Sequence, residues 1–497
     1  MSRLNLIPNI LIRQAEEHCQ KVAFSGPGWA ITYGDLEKRT RRVAAHLVSA
    51  GIGRGHFVAI VLGRCLQAVE SVLAITRAGA VGVPLDPRSP SSELANVLEH
   101  SGARVIITDS RHLATVRTAA REGSIIILNT EIPDVDATEG GYRIARYQDW
   151  IEDDECLTLD INIDDLGEDE EAFLHYTSGT TSLPKGVLSN QKSWLLNVSS
   201  LVSAFELTPE DRFFWPLPLF HCIGHLLCII ATVAVGASAY LPDADQTPFD
   251  SLRDTQARET TLIVGAPTTF HDLIDAARLS DSMSSLSLPR LRACMYAGSS
   301  APESLSAQVK ELFGVPLLNN YGCTEGCGSI AVSKPGHIYR QNSSITLLPH
   351  WEIKLVDPDG NQVNDGEQGE VWISGPGLML EYYRETRSAF TADGWYPTGD
   401  IAIRSSSAAE PELTLVGRRK EIIIRGGENI HPHELEHVLL RHPGVADVVV
   451  AGIPHRLLGE IPAAFIVKSA ADLDLDLSAL LTACREALPD YKVPTGN

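Results

Sequence analysis

Basic charge is scarce in this chain: 41 Lys and Arg stand against 63 Asp and Glu, a net charge of −22. Binding to phosphate polymers by counterion release needs the opposite sign, and an anionic bilayer repels such a surface. Nucleic acid and membrane surfaces are therefore excluded as partners, although one cleft can still hold a small phosphate. Cysteine is sparse and odd in number, nine in 497 residues, with no C-x-x-C framework. The Cys323/Cys327 pair lacks further His or Cys at metal-ligand spacing, so the thiols read as reduced groups of a cytoplasmic protein. Long apolar runs are missing too. The longest, Leu226 to Tyr240, is broken by Gly236 and Ser238 and is too short for a membrane span; it reads as buried core. The opening MSRLNLIPNILIRQAEEH turns charged before any signal-peptide core is complete. There is no internal repeat and no low-complexity tract.

What is present is ordinary globular composition, 44% hydrophobic and 21% charged, over a length that suggests about three folding units at roughly 150 residues each. The first half alternates strand and helix patterns. HFVAIVL from His56 is a continuous apolar run, as expected of a strand buried on both faces. CLQAVESVLAITRAG has helical spacing and ends on Gly79, AVGVPLDP is a strand until Pro87, ELANVLEHSG is helical, and ARVIITD is another buried strand. Repeated units of this kind predict a mostly parallel sheet covered by helices. The acidic stretch from Asp153 to Glu171 reads as a solvated linker, after which the pattern resumes to about residue 416. Past Gly417 the texture changes to strand (EIIIRG), helix (HPHELEHVLLRH) and two strands (ADVVVAG and AAFIVK). The expectation is an α/β protein: a large N-terminal domain of parallel-sheet βαβ units, 1–416, and a smaller C-terminal α+β domain, 421–497.

The most informative segment is YTSGTTSLPKGV, Tyr176 to Val187. It follows the apolar strand AFLHY, so it lies at a strand's carboxyl end, where ligands of open α/β sheets bind. Five hydroxyls (Thr177, Ser178, Thr180, Thr181 and Ser182) surround Gly179, and Lys185 adds a cation. Hydroxyl and backbone donors with one lysine suit a triphosphate. Pro184 stands where a Walker loop needs Gly before Lys. Taken alone, the segment could also be a Ser/Thr-rich surface turn.

The order of its residues resembles the AMP-binding signature of the adenylate-forming superfamily, which includes acyl-CoA synthetases, peptide-synthetase adenylation domains and luciferases. GAVGVPLDPRSP, PLPLFHCIG, YAGSSAP, NNYGCTEG, GEVWISGPGLMLEYY, WYPTGD and GRRKEIIIRGGENIHPHELE resemble further family blocks, in order, across nearly the whole chain. The resemblance implies ATP-dependent activation of a carboxylate to acyl-AMP, with release of pyrophosphate and transfer of the acyl group to a thiol. A carboxylate is a poor electrophile, and the mixed anhydride supplies a good leaving group; the enzyme must hold ATP and acid in line and neutralise the α-phosphate.

By resemblance, the loop Thr177–Lys185 grips the β- and γ-phosphates. Asn320, Tyr321 and Gly322 belong to the nucleotide site, with Tyr321 against the adenine, Thr324 on the α-phosphate and Glu325 on Mg²⁺, a hard cation that carries phosphate oxygens with it. Gly298, Ser299 and Ser300 match the adenine and acyl-pocket wall, where small side chains permit close backbone approach. Asp400 matches the acceptor of both ribose hydroxyls, and Arg418 meets the same ribose. Lys420 matches the hinge about which the small domain turns between adenylation and thiol transfer. Gly427 matches the passage of the pantetheine arm of CoA or a carrier protein. His221 lies at the acyl-pocket gate and is not a general base, because the acid needs no proton removed at neutral pH.

Peptide-synthetase domains place an aspartate beside the aromatic of this block to pair with the substrate's α-ammonium; here Phe220 is followed by His221 and Cys222. An amino acid would bury an unpaired cation, at a cost of about several kcal/mol, so a carboxylic acid without an α-amine is expected. Cys222, Ile223, Gly298, Ser299, Cys323 and Cys327, small to medium and mostly apolar, fit an acyl or aryl acid. Two departures from the family pattern stand out. Ser182 replaces a common glycine, a tolerated change that adds a donor. The ending LPDYKVPTGN lacks the family's lysine in a Gly-Lys context, a role that neither Lys492 nor Lys468 can take. Either the chain is cut short, the favoured reading, or the tail was lost. As given, it is expected to be poor in adenylation yet able to transfer from supplied acyl-AMP. The leading expectation is an acid–thiol ligase making acyl-CoA. The rivals are a unit loading a carrier protein's phosphopantetheine, a luciferase-like oxygenase, for which no residue speaks, and a nucleotide-binding remnant without activity.

Overall fold

A strand buried on both faces has no use for polar side chains, and the run Phe57–Val61 is buried at every position. In a computed structural model, which describes residues 6–128, 141–154, 163–177, 184–279, 287–299, 301, 303–333, 345–405, 412–426, 428–442, 444–468 and 475–494, this run lies in the middle of an eight-stranded sheet. It pairs in parallel with Val81–Pro84 and Val105–Thr108, and Ile125–Leu128 and Arg143–Arg146 continue the parallel order outward. The helix Leu66–Arg77 covers it. On the other side, Glu171–Thr177 joins in parallel beside Val81–Pro84. The hydroxyl-rich segment then connects it to Lys185–Asn190 as an antiparallel hairpin, with Thr177 opposite Lys185. Glu381–Tyr382, far along the chain, closes that edge against Val187 and Leu188.

A thirteen-stranded sheet lies beside it. Val22–Gly26, Arg212–Phe214, Ser238–Tyr240, Leu262–Gly265, Ala293–Ala297 and Leu317–Tyr321 are its parallel strands. The βαβ alternation expected to run to residue 416 stops after Tyr321. From Ala331 to Arg418 every pairing in this sheet is antiparallel. A parallel return needs a crossover of a dozen residues or more, usually a helix, whereas short turns favour antiparallel neighbours.

The apolar run after PLPLF is buried as expected and forms a widened helical stretch, Gly224–Ala231, with a π-type hydrogen-bond pattern. Gly224 is required there by space: a Cβ would stand 2.9 Å from the Leu219 and Pro218 carbonyl oxygens. No helix among the described residues is long and apolar enough to cross a membrane. At the described end of the acidic stretch, half-buried Glu168 and exposed Asp169 lie beside Lys192.

The smaller C-terminal domain is a four-stranded antiparallel sheet, Ile423–Arg425, Glu428–Ile430, Val445–His455 and Gly459–Lys468. The helices Pro432–Leu439 and Leu477–Ala487 pack on it through Leu435, Leu439, Leu480 and Cys484. The molecule is thus mixed α/β, large N-terminal domain and small C-terminal domain.

Candidate active site

Adjacent parallel strands deliver their following loops to one edge of the sheet. Ala297 stands opposite Asn320, so Gly298 and Ser299, both exposed, lie beside the turn that follows Tyr321. The expected reason for glycine at 298 was close approach, but a Cβ there would meet nothing within 4 Å. The backbone explains it instead, with φ at +91° in the left-handed region that favours glycine. Close approach belongs to Gly322, whose Cβ would come within 2.4 Å of the Gly328 carbonyl oxygen and 2.7 Å of the Ser329 nitrogen.

That contact holds a compact loop. Asn320 is buried; its Nδ2 donates to the Gly328 carbonyl at 3.0 Å, and Ser329 Oγ donates to its Oδ1 at 2.6 Å. The Asn320 amide thus clamps this loop from within. The Tyr321 hydroxyl donates to Asp400 Oδ2 at 2.7 Å, and Arg418 Nε donates to Oδ1 at 3.0 Å. Asp400 and Arg418 face each other on neighbouring antiparallel strands. Asp400 is buried, and burial pushes its carboxyl up, opposed by Tyr321 and Arg418. Each carboxylate oxygen accepts more than one bond, so both retain capacity toward a ribose.

The short 3-10 turn Thr324–Gly326 presents Thr324, whose hydroxyl lies 4.0 Å from Cys222 Sγ. Glu325 beside it is buried, and its Oε1 accepts from the Tyr382 hydroxyl at 2.6 Å. Tyr382 also meets the Tyr396 hydroxyl at 3.0 Å, and the Lys185 ammonium sits 4.6 Å from the centre of its ring. The two blocks assigned to phosphate and to metal thus meet through Tyr382, which lies within GEVWISGPGLMLEYY and to which the family resemblance attached no role. Tyr396, in the quoted WYPTGD, was likewise unassigned. Both phenols are held above their ordinary range, by burial first and then by the neighbouring carboxylate, so they remain donors.

The acyl-wall candidates gather on the other side of Thr324. Cys222 and Ile223 precede the widened helix, and Cys222 Sγ and Leu226 Cδ2 flank the space over Gly328. Burial pushes the Cys222 thiol up to about 11 and holds those of Cys323 and Cys327 above their ordinary range. All three thiols are held neutral and are poor nucleophiles. His221 is exposed against Phe220, ring centres 4.4 Å apart. His175 and His225, which no motif marks, have rings that meet at 4.9 Å, each buried with one ring nitrogen unpartnered. A lone histidine in an apolar run carries no spacing signal, so nothing in the sequence marked them.

Thr177 and Lys185 frame the hydroxyl-rich loop from its two strands. Ser178, Gly179, Thr180, Thr181, Ser182, Ser300 and Gly427 lie outside the described residues. Lys420 is exposed in the 3-10 turn Arg419–Glu421, directly after Arg418, and Arg419 pairs with Glu370 at 3.0 Å. No group of three or more His, Cys, Asp or Glu able to hold a metal occurs among the described residues. A single carboxylate, Glu325, suits Mg²⁺ that arrives already carrying phosphate oxygens and water, and does not suit a resident ion.

The sequence model described as AMP-binding enzyme matches residues 11–383, and that described as AMP-binding enzyme C-terminal domain matches 434–496. The chain is 84% identical over 496 residues to chalcone synthase cfoA of Aspergillus candidus and 66% identical over 495 residues to naringenin synthase of Pestalotiopsis fici. It is matched along its full length but spans only 18% of each of those proteins. Among solved structures, an anthranilate CoA ligase in complex with anthranoyl-AMP superposes with a TM-score of 0.86 at 25% identity, covering 99% of this chain and 93% of that one.

Proposed function

Since the chain belongs to the AMP-binding enzyme family, we propose that it activates a carboxylic acid lacking an α-amine to its acyl-adenylate and passes the acyl group to a thiol. The observation that carries this reading is the convergence of Lys185, Thr324, Glu325, Tyr321, Asp400 and Arg418, drawn from three separate stretches of sequence, on one end of the two sheets. The acid's carboxylate oxygen attacks the α-phosphorus, and the bond to pyrophosphate breaks. Lys185 and the loop after Thr177 bear the charge of the departing pyrophosphate, and the Thr324 hydroxyl donates to the α-phosphate. Asp400 and Arg418 fix the ribose, with Tyr321 beside the base. Mg²⁺ held by Glu325 would neutralise phosphate charge. The thiol sulfur then attacks the acyl carbon and AMP leaves. Because Cys222, Cys323 and Cys327 stay protonated, they do not intercept the acyl-adenylate. Lys420 is the proposed hinge between units bounded near 416 and 421, with Gly427 on the thiol's path, and a reducing, cytoplasmic setting belongs to the same reading.

No aspartate follows Phe220 in the sequence, which supports an acid without an α-amine. A chalcone contains an arylpropenoyl unit and anthranoyl is an aryl acyl group, so the names of the similar proteins support an aryl or arylpropenoic acid. The sequence favours CoA as acceptor. The match of this whole chain to 18% of two much longer synthases supports a second acceptor, a phosphopantetheine thiol on a carrier domain of the same polypeptide. ATP–pyrophosphate exchange across aliphatic, benzoic and cinnamic acids, followed by acyl transfer to CoA and to a phosphopantetheinylated carrier domain, tests both parts. Exchange that no acid stimulates, together with no transfer from supplied acyl-AMP, would sink the proposal.

A further inference from the structure

The segment 378–383 does more than add an edge strand. The Met379 nitrogen donates to the Glu325 backbone carbonyl at 2.7 Å, the Leu380 nitrogen to the Leu188 carbonyl at 2.7 Å, and the Tyr383 nitrogen to the Gly186 carbonyl at 2.8 Å. It is a clip with one end on the Thr324–Gly326 turn and the other on the strand that begins with Lys185. Tyr382 stands opposite Val187 in that register, and its side chain spans the same gap. Its ring lies under the Lys185 ammonium at 4.6 Å, and its hydroxyl reaches Glu325 Oε1 at 2.6 Å.

The geometry points to Tyr382 as a positioning residue that couples the phosphate grip to the metal grip. Through its hydroxyl it fixes the Glu325 carboxylate, so that the second oxygen faces the cation arriving with ATP; through its ring it places Lys185. This rests on the adenylation reading above and adds to it a residue with two separable duties. A hydrogen bond from a neutral phenol to a carboxylate is short and charge-assisted, and without it the Glu325 side chain is free to turn in its pocket. A cation over an aromatic face is attracted by the ring itself and needs no hydroxyl. The two duties therefore part on substitution. Tyr382→Phe removes the first and keeps the second, whereas Tyr382→Leu removes both.

The test is calorimetric and needs no turnover: the dissociation constant of ATP is measured for the full chain in EDTA and again in excess Mg²⁺. The unaltered chain gains affinity on adding Mg²⁺. In Y382F, ATP in EDTA should bind as in the unaltered chain, within about twofold, while the gain from Mg²⁺ shrinks ~10-fold, the size expected for one lost bond to a charged group. Y382L should lose in both conditions. Y396F, which removes a partner of Tyr382 without touching Glu325, should stay close to the unaltered chain, and melting curves of all three identify any variant that merely unfolds. A Mg²⁺ gain in folded Y382F equal to or larger than that of the unaltered chain would overturn the inference and leave adenylation standing. Failure of the unaltered chain to bind ATP in either condition would instead bring down the adenylation reading, and this inference with it.

Discussion

Gly322→Ala is the smallest change that should disable this site. The added Cβ would lie 2.4 Å from the Gly328 carbonyl oxygen, 2.6 Å from its carbon and 2.7 Å from the Ser329 nitrogen. All three are backbone atoms, so no side-chain rotation relieves the overlap. Restoring an ordinary contact of roughly 3.4 Å means moving one strand of the loop by about 1 Å, against the compact packing of the interior. That movement stretches the Asn320–Gly328 bond, 3.0 Å at rest, and overpacking with a weakened hydrogen bond together should cost about 2–4 kcal/mol of stability. The catalytic consequence should be larger than the thermodynamic one. Thr324 and Glu325 ride on this loop, and a displacement of about 1 Å at a reacting centre costs roughly 10²-fold in rate. Gly326→Ala is the matched control four residues on, where the nearest foreign atom is the flexible Ile330 side chain at 3.2 Å. ATP–pyrophosphate exchange and a thermal melt on both variants check the argument: G322A should lose about 100-fold with a lowered melting temperature, and G326A should lose little of either. Equal exchange rates in the two variants would refute the steric reasoning.

Asp400→Asn keeps the shape of the side chain and removes its charge; it should weaken ATP binding roughly 10- to 100-fold, the worth of hydrogen bonds to a charged acceptor. Little stability should be lost with the Arg418 pair, since the Arg418 side chain is 62% exposed, and calorimetry with ATP reports the first effect while a melt reports the second. Burial pushes the His225 imidazole down to about 3 from an ordinary 6.5. Between those two values the unfolded chain binds a proton that the folded chain refuses, so stability is present above pH 6.5 and drains away as the pH falls, by up to about 1.4 kcal/mol per pH unit. Urea midpoints between pH 7 and pH 4.5 should therefore fall less steeply for His225→Leu than for the unaltered chain, and identical slopes would contradict the assignment.

What the sequence could show was what lies contiguous in it. The apolar run Phe57–Val61 is complete within five residues, and its unbroken apolar character was enough to place it as a buried strand. The hydroxyl-rich stretch ending at Lys185 is equally local, but its composition left a phosphate loop and a surface turn both open, and only the resemblance of its residue order favoured the first. The antiparallel half of the large sheet was not legible, because strands such as Gln368–Ser374 and Tyr396–Ser405 carry no local mark of which neighbour they choose. Gly298 and Gly322 both stood in blocks matched to the nucleotide site; only backbone coordinates separate the one that needs a positive φ from the one that needs the space. The same limit applied to chemistry. Asp400 and Glu325 each resembled a ligand-binding carboxylate, and nothing in their surroundings of sequence announced that each already holds a phenol. Tyr321 lies 79 residues from Asp400, and Tyr382 lies 57 residues from Glu325. Those two bonds decide how the site behaves before any nucleotide arrives. Both phenols are held above their ordinary range by burial, so at neutral pH each keeps the proton it donates to its carboxylate, and a carboxylate that accepts a fixed donor loses rotational freedom. Each acid then meets its ligand with one oxygen already oriented, and less ordering remains to be done on binding.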